Sequence, residues 1–289
     1  MINKIIDSHV HIYPPEIIKD CEKISAHEPY FDALIHNKVH KWAVVDDLLT
    51  RMERDNITHA IIFGFAFRDM GLCKICNDYV IDCVKKFPDK LSGLCVIPPD
   101  NKESEREILR CAESGLIGAG ELFPDGQNIN IADKNETSHL TGALRAANFF
   151  VLWHIAEPVG HDYAGKGKTS VRDAYNFCVN NPEITTIFAH LGGGLWLYEL
   201  MPEVKKILRN VYYDIAAMPY LYDSKIFDAI KSAGLINKFL MGSDYPILGS
   251  PRYEKMFRES SLNMNEIAQI KYFNAAKLIN PPAIESQRE

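Results

Sequence analysis

Short apolar runs alternate with amphipathic stretches along the chain. Eight runs rich in apolar, β-branched and aromatic residues are predicted to be strands, at 5–9, 58–65, 91–97, 116–122, 149–155, 184–190, 211–215 and 238–243. Several are apolar nearly throughout, which is typical of parallel strands buried on both faces. Between them, apolar residues recur at three- and four-residue spacing, which predicts helices including 46–55, 74–86, 102–113, 136–147 and 170–179.

This alternation of strand and helix predicts parallel strands joined by right-handed crossovers. Eight strand candidates favour closure into an α/β fold of the (β/α)8 TIM barrel type over a doubly wound sheet. The 289 residues suit one barrel and are too few for two large domains. No linker, low-complexity tract or internal repeat interrupts the pattern, so residues 1–289 are predicted to form one domain.

Two connections are unusually long: 12–45 after the first strand and 157–169 after the fifth. Loops of this length in compact domains are commonly lids or binding loops. Because both follow strands, we expect them at the C-terminal rim, where barrel active sites lie. In the first loop, Tyr30 and Trp42 could roof a substrate or form the loop's own core.

Composition narrows the class of protein. The formal net charge is −6 and the isoelectric point is near 5.9, which argues against a general nucleic-acid binder. Seven cysteines cannot all pair within one chain, and no signal peptide or membrane-length apolar run is visible. We therefore expect a cytoplasmic enzyme acting on a small molecule, with a homodimer as the default assembly.

The first chemical signal is Asp7-Ser8-His9-Val10-His11. Side chains two apart on a strand point to the same face, so His9 and His11 are expected to lie side by side. Two imidazoles held that way suit Zn²⁺ or a similar transition ion, although a lone His-x-His often only lines a barrel mouth.

Further polar residues follow other predicted strands. His154 closes the fifth run, His190 closes the sixth, and Asp244 follows the eighth. A polar residue at the C-terminal end of a barrel strand is typical of catalysis. Any one of them alone is more often an ordinary rim residue, but the set predicts a divalent metal site.

These residues resemble the motifs of the amidohydrolase superfamily, specifically its amidohydrolase-related branch that includes the aminocarboxymuconate semialdehyde decarboxylase-like enzymes. The resemblance covers essentially the whole chain. It rests on Asp7-x-His9-x-His11, on His154, on Ala189-His190-Leu191-Gly192-Gly193, on Gly242-Ser243-Asp244-Tyr245-Pro246 and on Asn274-Ala275. It implies that His9, His11, His154 and Asp244 are ligands of one metal, and that His190 is an acid/base or a ligand of a second ion.

The fourth strand leaves the number of metals open. Binuclear relatives often carry a carboxylated lysine there, whereas this chain has Gly120-Glu121-Leu122. Glu121 could bridge two metals, as a glutamate does in TatD-like relatives, or it could orient water or substrate, or be a paired rim carboxylate. Nitrogen ligands favour Zn²⁺, with Mn²⁺ or Fe²⁺ as alternatives.

Three functions are compatible with this set. The first is hydrolysis of a small, carboxylated or cyclic substrate by metal-activated water, with Asp244 as the base and His190 as an oxyanion stabiliser or proton donor. The second, implied by the resemblance, is non-oxidative decarboxylation of an aromatic or unsaturated acid. The third is a non-enzymatic barrel that keeps the ligands as a structural metal site or has lost its metal altogether. His161, Tyr163, Lys166 and Lys168, just beyond His154, are interpreted as an anion clamp or as a solvated glycine-rich loop.

Overall fold

The computed structural model describes residues 4–279, and these contain eight parallel strands that neighbour one another in sequence order. This arrangement confirms the predicted (β/α)8 barrel. The strands are β1 (Ile6–His11), β2 (His59–Phe63), β3 (Leu91–Cys95), β4 (Gly118–Leu122), β5 (Phe150–Trp153), β6 (Thr186–Phe188), β7 (Val211–Asp214) and β8 (Phe239–Leu240).

Helices separate the strands. They are α1 (Pro15–Lys19), α2 (Cys21–Ser25), α3 (Pro29–Ile35), α4 (Val45–Arg54), α5 (Met70–Lys86), α6 (Ser104–Glu113), α7 (Pro124–Gln127), α8 (Ser138–Ala147), α9 (Val171–Asn180), α10 (Pro202–Ile207), α11 (Met218–Leu221), α12 (Lys225–Ser232), α13 (Ser250–Glu259), α14 (Met264–Ala268) and α15 (Asn274–Ile279). The five predicted helices correspond to α4, α5, α6, α8 and α9. In the first of the two long connections, the chain forms three short helices, α1 to α3, before α4 begins.

Helix α5 begins earlier than its apolar spacing predicts. The side chain of Asp69 accepts a hydrogen bond from the Leu72 backbone nitrogen, which satisfies a free donor of the first turn. This cap adds one turn to the predicted 74–86 segment. Among residues 4–279, none of the helices has both the length and the apolar character needed to span a membrane.

The barrel closes between β1 and the segment that follows β8. The Ser8 backbone nitrogen donates to the Met241 carbonyl (2.8 Å), and the Asp244 nitrogen donates to the His9 carbonyl (3.0 Å). The His11 nitrogen donates to the Tyr245 carbonyl (2.8 Å). The seam therefore brings Asp244 beside both histidines of β1, although they are more than 200 residues apart in the sequence.

Two apolar clusters occupy the two faces of the sheet. The larger cluster packs strand residues such as Val151 and Trp153 against the surrounding helices, and Trp153 contacts Phe177 of α9 edge-on. The smaller cluster includes Phe150 and Leu152 of the same strand and belongs to the barrel interior. This alternation is the period of two that a strand requires. The candidate site lies above the interior cluster, at the C-terminal ends of the strands.

Candidate metal centre

Partway along strand β1, the alternation of inward- and outward-facing side chains shifts by one residue. Between Asp7 and Val10 the chain advances three residues while the paired β2 advances two, from Ala60 to Ile62. Such an extra residue reverses which side chains face the interior. Asp7 therefore faces outward, where it accepts a hydrogen bond from Arg51 at 2.8 Å, while His9 and His11 face inward.

Strand β4 contains the same kind of register shift. From Ala119 to Leu122 the chain advances three residues while β5 advances two. Ala119 and Leu122 both pack in the outer cluster, so Glu121 points into the barrel mouth. Gly120 makes this possible, since its φ is +143° and a Cβ there would lie 2.6 Å from the carbonyl oxygen of Leu152. The two shifted strands thus deliver three of the candidate ligands.

The first ligand group consists of His9, His11, Asp244 and one oxygen of Glu121. The Nε2 atoms of His9 and His11 are 3.3 Å apart and lie 3.5 Å and 3.4 Å from Glu121 Oε2. Both lie 3.6 Å from Asp244 Oδ1. Ligands bound tetrahedrally at ~2.1 Å from an ion are separated by ~3.4 Å. These five separations match the edges of a tetrahedral divalent site.

The second ligand group consists of His154, His190 and the other oxygen of Glu121. His154 Nδ1 lies 3.0 Å from Glu121 Oε1 and 3.1 Å from His190 Nε2. His190 Nε2 lies 3.4 Å from the same carboxylate oxygen. Three ligand atoms at this spacing leave part of a coordination sphere open. His154 therefore lies with His190 and not with His9, His11 and Asp244, the set that the resemblance implies for one ion.

The imidazole tautomers fit a bound cation. His9 Nδ1 is 2.8 Å from Asp214 Oδ2, and His190 Nδ1 is 3.1 Å from the Ala216 carbonyl. Each Nδ1 must donate its proton to these acceptors, which leaves the Nε2 lone pair aimed at the centre. Those lone pairs face the carboxylate oxygens of Glu121, and such lone pairs repel one another unless a proton or a metal ion lies between them. The donor set therefore fits a divalent ion.

The pKa shifts of these side chains also favour a positive charge between them. Burial disfavours the charged form of His9, but Asp214 and Glu121 outweigh it and hold the pKa of His9 well above its ordinary value. For His190, burial is again outweighed, by Glu121 and Asp244, and the pKa rises to about 9. Burial opposes ionisation of Glu121, yet His9 and His154 keep its pKa well below its usual range. Metal ions and protons would compete for these sites.

Two of these residues have a strained backbone. His190 has a φ of +54° and Asp244 a φ of +62°, in the left-handed region that non-glycine residues rarely adopt. Strain of this kind costs roughly 1–3 kcal/mol per residue and is concentrated at functional sites. His190 follows β6 and Asp244 follows β8. The left-handed turn at each residue directs its side chain toward the two ligand groups.

A cavity of about 360 Å³ lies directly over the two ligand groups. Its walls are mainly apolar and aromatic, which is typical of small-molecule sites. Both long loops contribute to it, as predicted: the first provides Tyr13, Tyr30, Leu34, Asn37, Val39, His40 and Lys41, and the second provides His161, Tyr163, Ala164 and Gly165. The metal-facing end is formed by His11, Glu121, His154, His190 and Asp244.

Only some residues of the predicted anion clamp line the cavity. His161 and Tyr163 line the cavity, whereas Lys166 is absent from its walls. The Lys166 ammonium donates to three carbonyls of its own loop, those of Val159, Gly160 and His161, at 3.0–3.3 Å. The ammonium group of Lys166 therefore stabilises the loop, and its assignment as a substrate residue stays a prediction. Of the two aromatic residues considered as a roof, Tyr30 lines the cavity and Trp42 packs against Tyr13 and His40.

Asp214 is the functional residue that sequence reasoning missed. It is fully buried, its Oδ2 contacts His9, and its Oδ1 accepts hydrogen bonds from the backbone nitrogens of His190 and Ala216. One carboxylate thus orients a residue of each ligand group. The signal was present, since Asp214 closes the run Val211-Tyr212-Tyr213 just as His154 closes the fifth run.

The family model described as Amidohydrolase matches residues 6–280. The chain belongs to the amidohydrolase family. Amidohydrolases of this kind depend on divalent metal, so the protein is a metal-dependent enzyme, either a hydrolase or a carboxy-lyase. None of the curated protein sequences matches the chain.

Solved structures share the fold of this amidohydrolase over nearly its whole length. A putative amidohydrolase from Staphylococcus aureus has 19% identity and a TM-score of 0.72, with 96% of this chain and 99% of the other covered. 5-Carboxyvanillate decarboxylase from Sphingomonas paucimobilis has 15% identity and a TM-score of 0.71, covering 96% and 98%. A dihydroxybenzoic acid decarboxylase from Polaromonas sp. JS666, with bound manganese and the inhibitor 2-nitroresorcinol, has 17% identity and a TM-score of 0.70, covering 96% and 97%.

Proposed function

We propose that this amidohydrolase hydrolyses a C–N or C–O bond of a small cyclic or carboxylated substrate at a centre that holds two divalent ions. The observation that carries the proposal is the position of Glu121. Its two oxygens lie in two different ligand groups, so one carboxylate can bridge two ions. Zn²⁺ is the ion we favour, since four of the seven ligand atoms are imidazole nitrogens.

Bound there, divalent ions would polarise a carbonyl group and lower the pKa of a water molecule toward ~7. Asp244 lines the cavity and is only 7% exposed, so its carboxylate is placed to take the proton of the attacking water. The same residue can return that proton to the leaving group. Tyr163 and His161 reach the cavity from the second loop and contribute to the walls that hold the substrate.

The cavity favours a compact substrate with a ring or another flat apolar part. Tyr30 packs edge-on against Phe123, which in turn packs against His154. Lys41 is the one lysine or arginine among the lining residues from 4–279, and its side chain is exposed. A substrate with several negative charges would therefore find few partners away from the metal ions.

The test is turnover of cyclic amides and lactones by zinc-loaded protein in water enriched in ¹⁸O. We expect one ¹⁸O atom in the carboxyl group of the product, and no turnover after metal removal until zinc is restored. A metal-loaded protein that turns over none of the panel, or that releases carbon dioxide without incorporating ¹⁸O, would contradict hydrolysis.

A second candidate is metal-dependent decarboxylation of an aromatic acid. It is favoured by the similarity in fold to decarboxylases of dihydroxybenzoic acid and 5-carboxyvanillate. In that reaction the open side of the centre would take the substrate carboxylate and a neighbouring oxygen, and Asp244 or His190 would protonate carbon. Carbon dioxide release from hydroxylated benzoic acids distinguishes this candidate from hydrolysis.

The compartment is part of the same proposal. All seven cysteines lack disulfide partners in the described chain. Six of them are buried, including Cys73 and Cys76, which pack on the outer face of the barrel. We expect the enzyme to work in the reduced cytoplasm, where such thiols persist.

A further inference from the structure

The first long loop contributes three side chains with hydrogen-bond donors to the wall of the cavity. They are Tyr13 with a hydroxyl group, Asn37 with an amide group and Lys41 with an ammonium group. None of the three belongs to the two ligand groups, and the proposed mechanism does not use them. Because Tyr13 is buried and Lys41 is exposed, these donors extend from the interior of the cavity toward its mouth.

Backbone and ring contacts hold this part of the loop against Tyr13. The Tyr13 nitrogen donates to the Ala43 carbonyl (2.9 Å), and the His40 nitrogen donates to the Asn37 carbonyl (3.0 Å). The His40 ring packs edge-on between Trp42 and Tyr13, with ring centroids 4.4 Å and 5.8 Å away. The three donor residues therefore lie on one wall of the cavity without any rearrangement of the loop.

Their donors are free within residues 4–279. In this part of the chain, the Lys41 ammonium forms no ion pair with a carboxylate. The Asn37 Oδ1 accepts a hydrogen bond from the Val39 nitrogen at 3.1 Å, which leaves the Asn37 Nδ2 as an unused donor. The Tyr13 side chain is only 2% exposed, yet its hydroxyl has no hydrogen-bond partner in the same range. Buried polar groups are normally hydrogen-bonded, so this wall favours a ligand that supplies acceptors.

The charges around the cavity favour an anionic acceptor. The carboxylates that line the cavity, among residues 4–279, are Glu121 and Asp244. Both belong to the ligand groups, where divalent ions would engage their charge. The positive charge of Lys41 is therefore left for an anionic group of the ligand itself.

We propose that Lys41, with Asn37 and Tyr13 as neutral donors, forms a substrate subsite for a carboxylate away from the bond that is hydrolysed. The proposal rests on the function proposed above and specifies the substrate class: a small ring compound with a hydrolysable amide or ester bond and one separate carboxylate group. A carboxylate accepts several hydrogen bonds through its two oxygens, and those from an ammonium group are strengthened by charge.

The test is calorimetric binding of three probes to the zinc-loaded, full-length protein. Benzohydroxamic acid has a flat ring for the aromatic walls and a hydroxamate that binds zinc, and its 3-carboxy and 4-carboxy derivatives add a carboxylate at two positions. We expect at least one derivative to bind wild-type protein about tenfold or more tightly than the parent, which is the scale of a charged hydrogen bond. Lys41→Met should abolish this advantage and change the binding of the parent less than twofold.

Lys38→Met is the matched control, because Lys38 is an exposed lysine of the same loop that does not line the cavity. It removes the same charge and should preserve the advantage of the carboxylated probe. Wild-type protein that gives neither derivative an advantage overturns the proposal, with no need for a variant to fold. An advantage that survives in Lys41→Met, or that falls equally in both variants, also overturns it. Because binding is measured without turnover, failure of hydrolysis and failure of this subsite are separate results.

Discussion

The two ligand groups differ in how firmly their residues are held. In the first group, His9 is fully buried and its Nδ1 donates to the carboxylate of Asp214. In the second, His190 donates to a neutral backbone carbonyl. Each group also has one buried imidazole nitrogen with no hydrogen-bond partner in the described chain, Nδ1 of His11 in the first and Nε2 of His154 in the second. A carboxylate behind an imidazole fixes its orientation and raises its basicity. We therefore expect the first group to bind its ion more tightly than the second.

The groups also differ in how many ligands they offer. The first offers four atoms, with Glu121 Oε2 and Asp244 Oδ1 beside the two imidazoles, while the second offers three, and residues of both groups line the cavity. A filled tetrahedral set is typical of firm binding, and a set with an open position is typical of catalysis. The comparison indicates that the first ion anchors the centre and that the second side remains available to substrate.

His9→Ala should have the largest effect, because it removes a ligand from the anchoring group. We expect loss of the tightly bound ion and a fall in turnover of about a thousandfold or more. Metal analysis of purified protein, with turnover measured in parallel, checks this. His59→Ala is the control, since His59 contacts Ser92 at the other end of the barrel. A His9→Ala protein with a normal complement of metal would refute the assignment of the first group.

Glu121→Gln should remove the carboxylate that links the two ligand groups. An amide has only one oxygen, so the substitution leaves the second group with two imidazoles. We expect the metal content to fall from two ions per chain to one, and the magnetic coupling between two Mn²⁺ ions to disappear from the electron paramagnetic resonance spectrum. Two ions in the variant, or a single ion in fully loaded wild-type protein, would rule out a bridging carboxylate.

Much of this arrangement could be predicted from the sequence. Three apolar runs are followed by a polar residue, at His154, His190 and Asp244. These residues mark strand ends, because a buried parallel strand has no other place for a charged group. The grouping of the ligands could not be predicted. It depends on register shifts in β1 and β4, which turn His9 and Glu121 inward, and the pattern of apolar residues does not reveal an extra residue in a strand.

The alternation rule on its own gives the wrong face for Asp7. Asp7, His9 and His11 have the same parity, so a regular strand would direct all three side chains inward. The shift directs Asp7 outward to Arg51, and also to the Ser243 hydroxyl, where it ties β1 to the segment preceding Asp244. The sequence therefore indicated the residues of the centre, and the three-dimensional pairing was needed to assign their roles.

Asp214→Asn should have an intermediate effect on the first group. The new amide can donate to His9 Nδ1, which would move the proton of the imidazole to Nε2 and remove the lone pair that faces the ion. We expect metal affinity to fall by about 10- to 100-fold, as is usual when the partner of a metal-bound histidine is removed. Competition with a fluorescent zinc chelator measures the affinity.

Glu107→Gln is the matched control for this experiment. Glu107 is also a buried carboxylate, but it lies on α6, where it pairs with Arg110 and Asn77 away from the site. It should lower the melting temperature without changing metal affinity. If both variants lose metal equally, the effect of Asp214→Asn comes from general destabilisation and not from the orientation of His9.

The smallest expected effect is a pH dependence of the melting temperature that is larger in metal-free than in metal-loaded protein. Without an ion, Glu121 and Asp244 raise the pKa of His190 above its ordinary value, to about 9. Because the folded pKa exceeds the unfolded one, the charged imidazole stabilises the metal-free fold below about pH 6.5, and this stabilisation is lost as pH rises through about 9. With an ion bound, His190 is neutral and this dependence should shrink. Calorimetric melting from pH 6.5 to 9 should therefore show a fall of several degrees in chelator that is smaller in zinc. The fall should also be smaller in His190→Asn, where the raised pKa of His9 remains. Equal slopes in all three samples would show that His190 does not titrate in the metal-free centre.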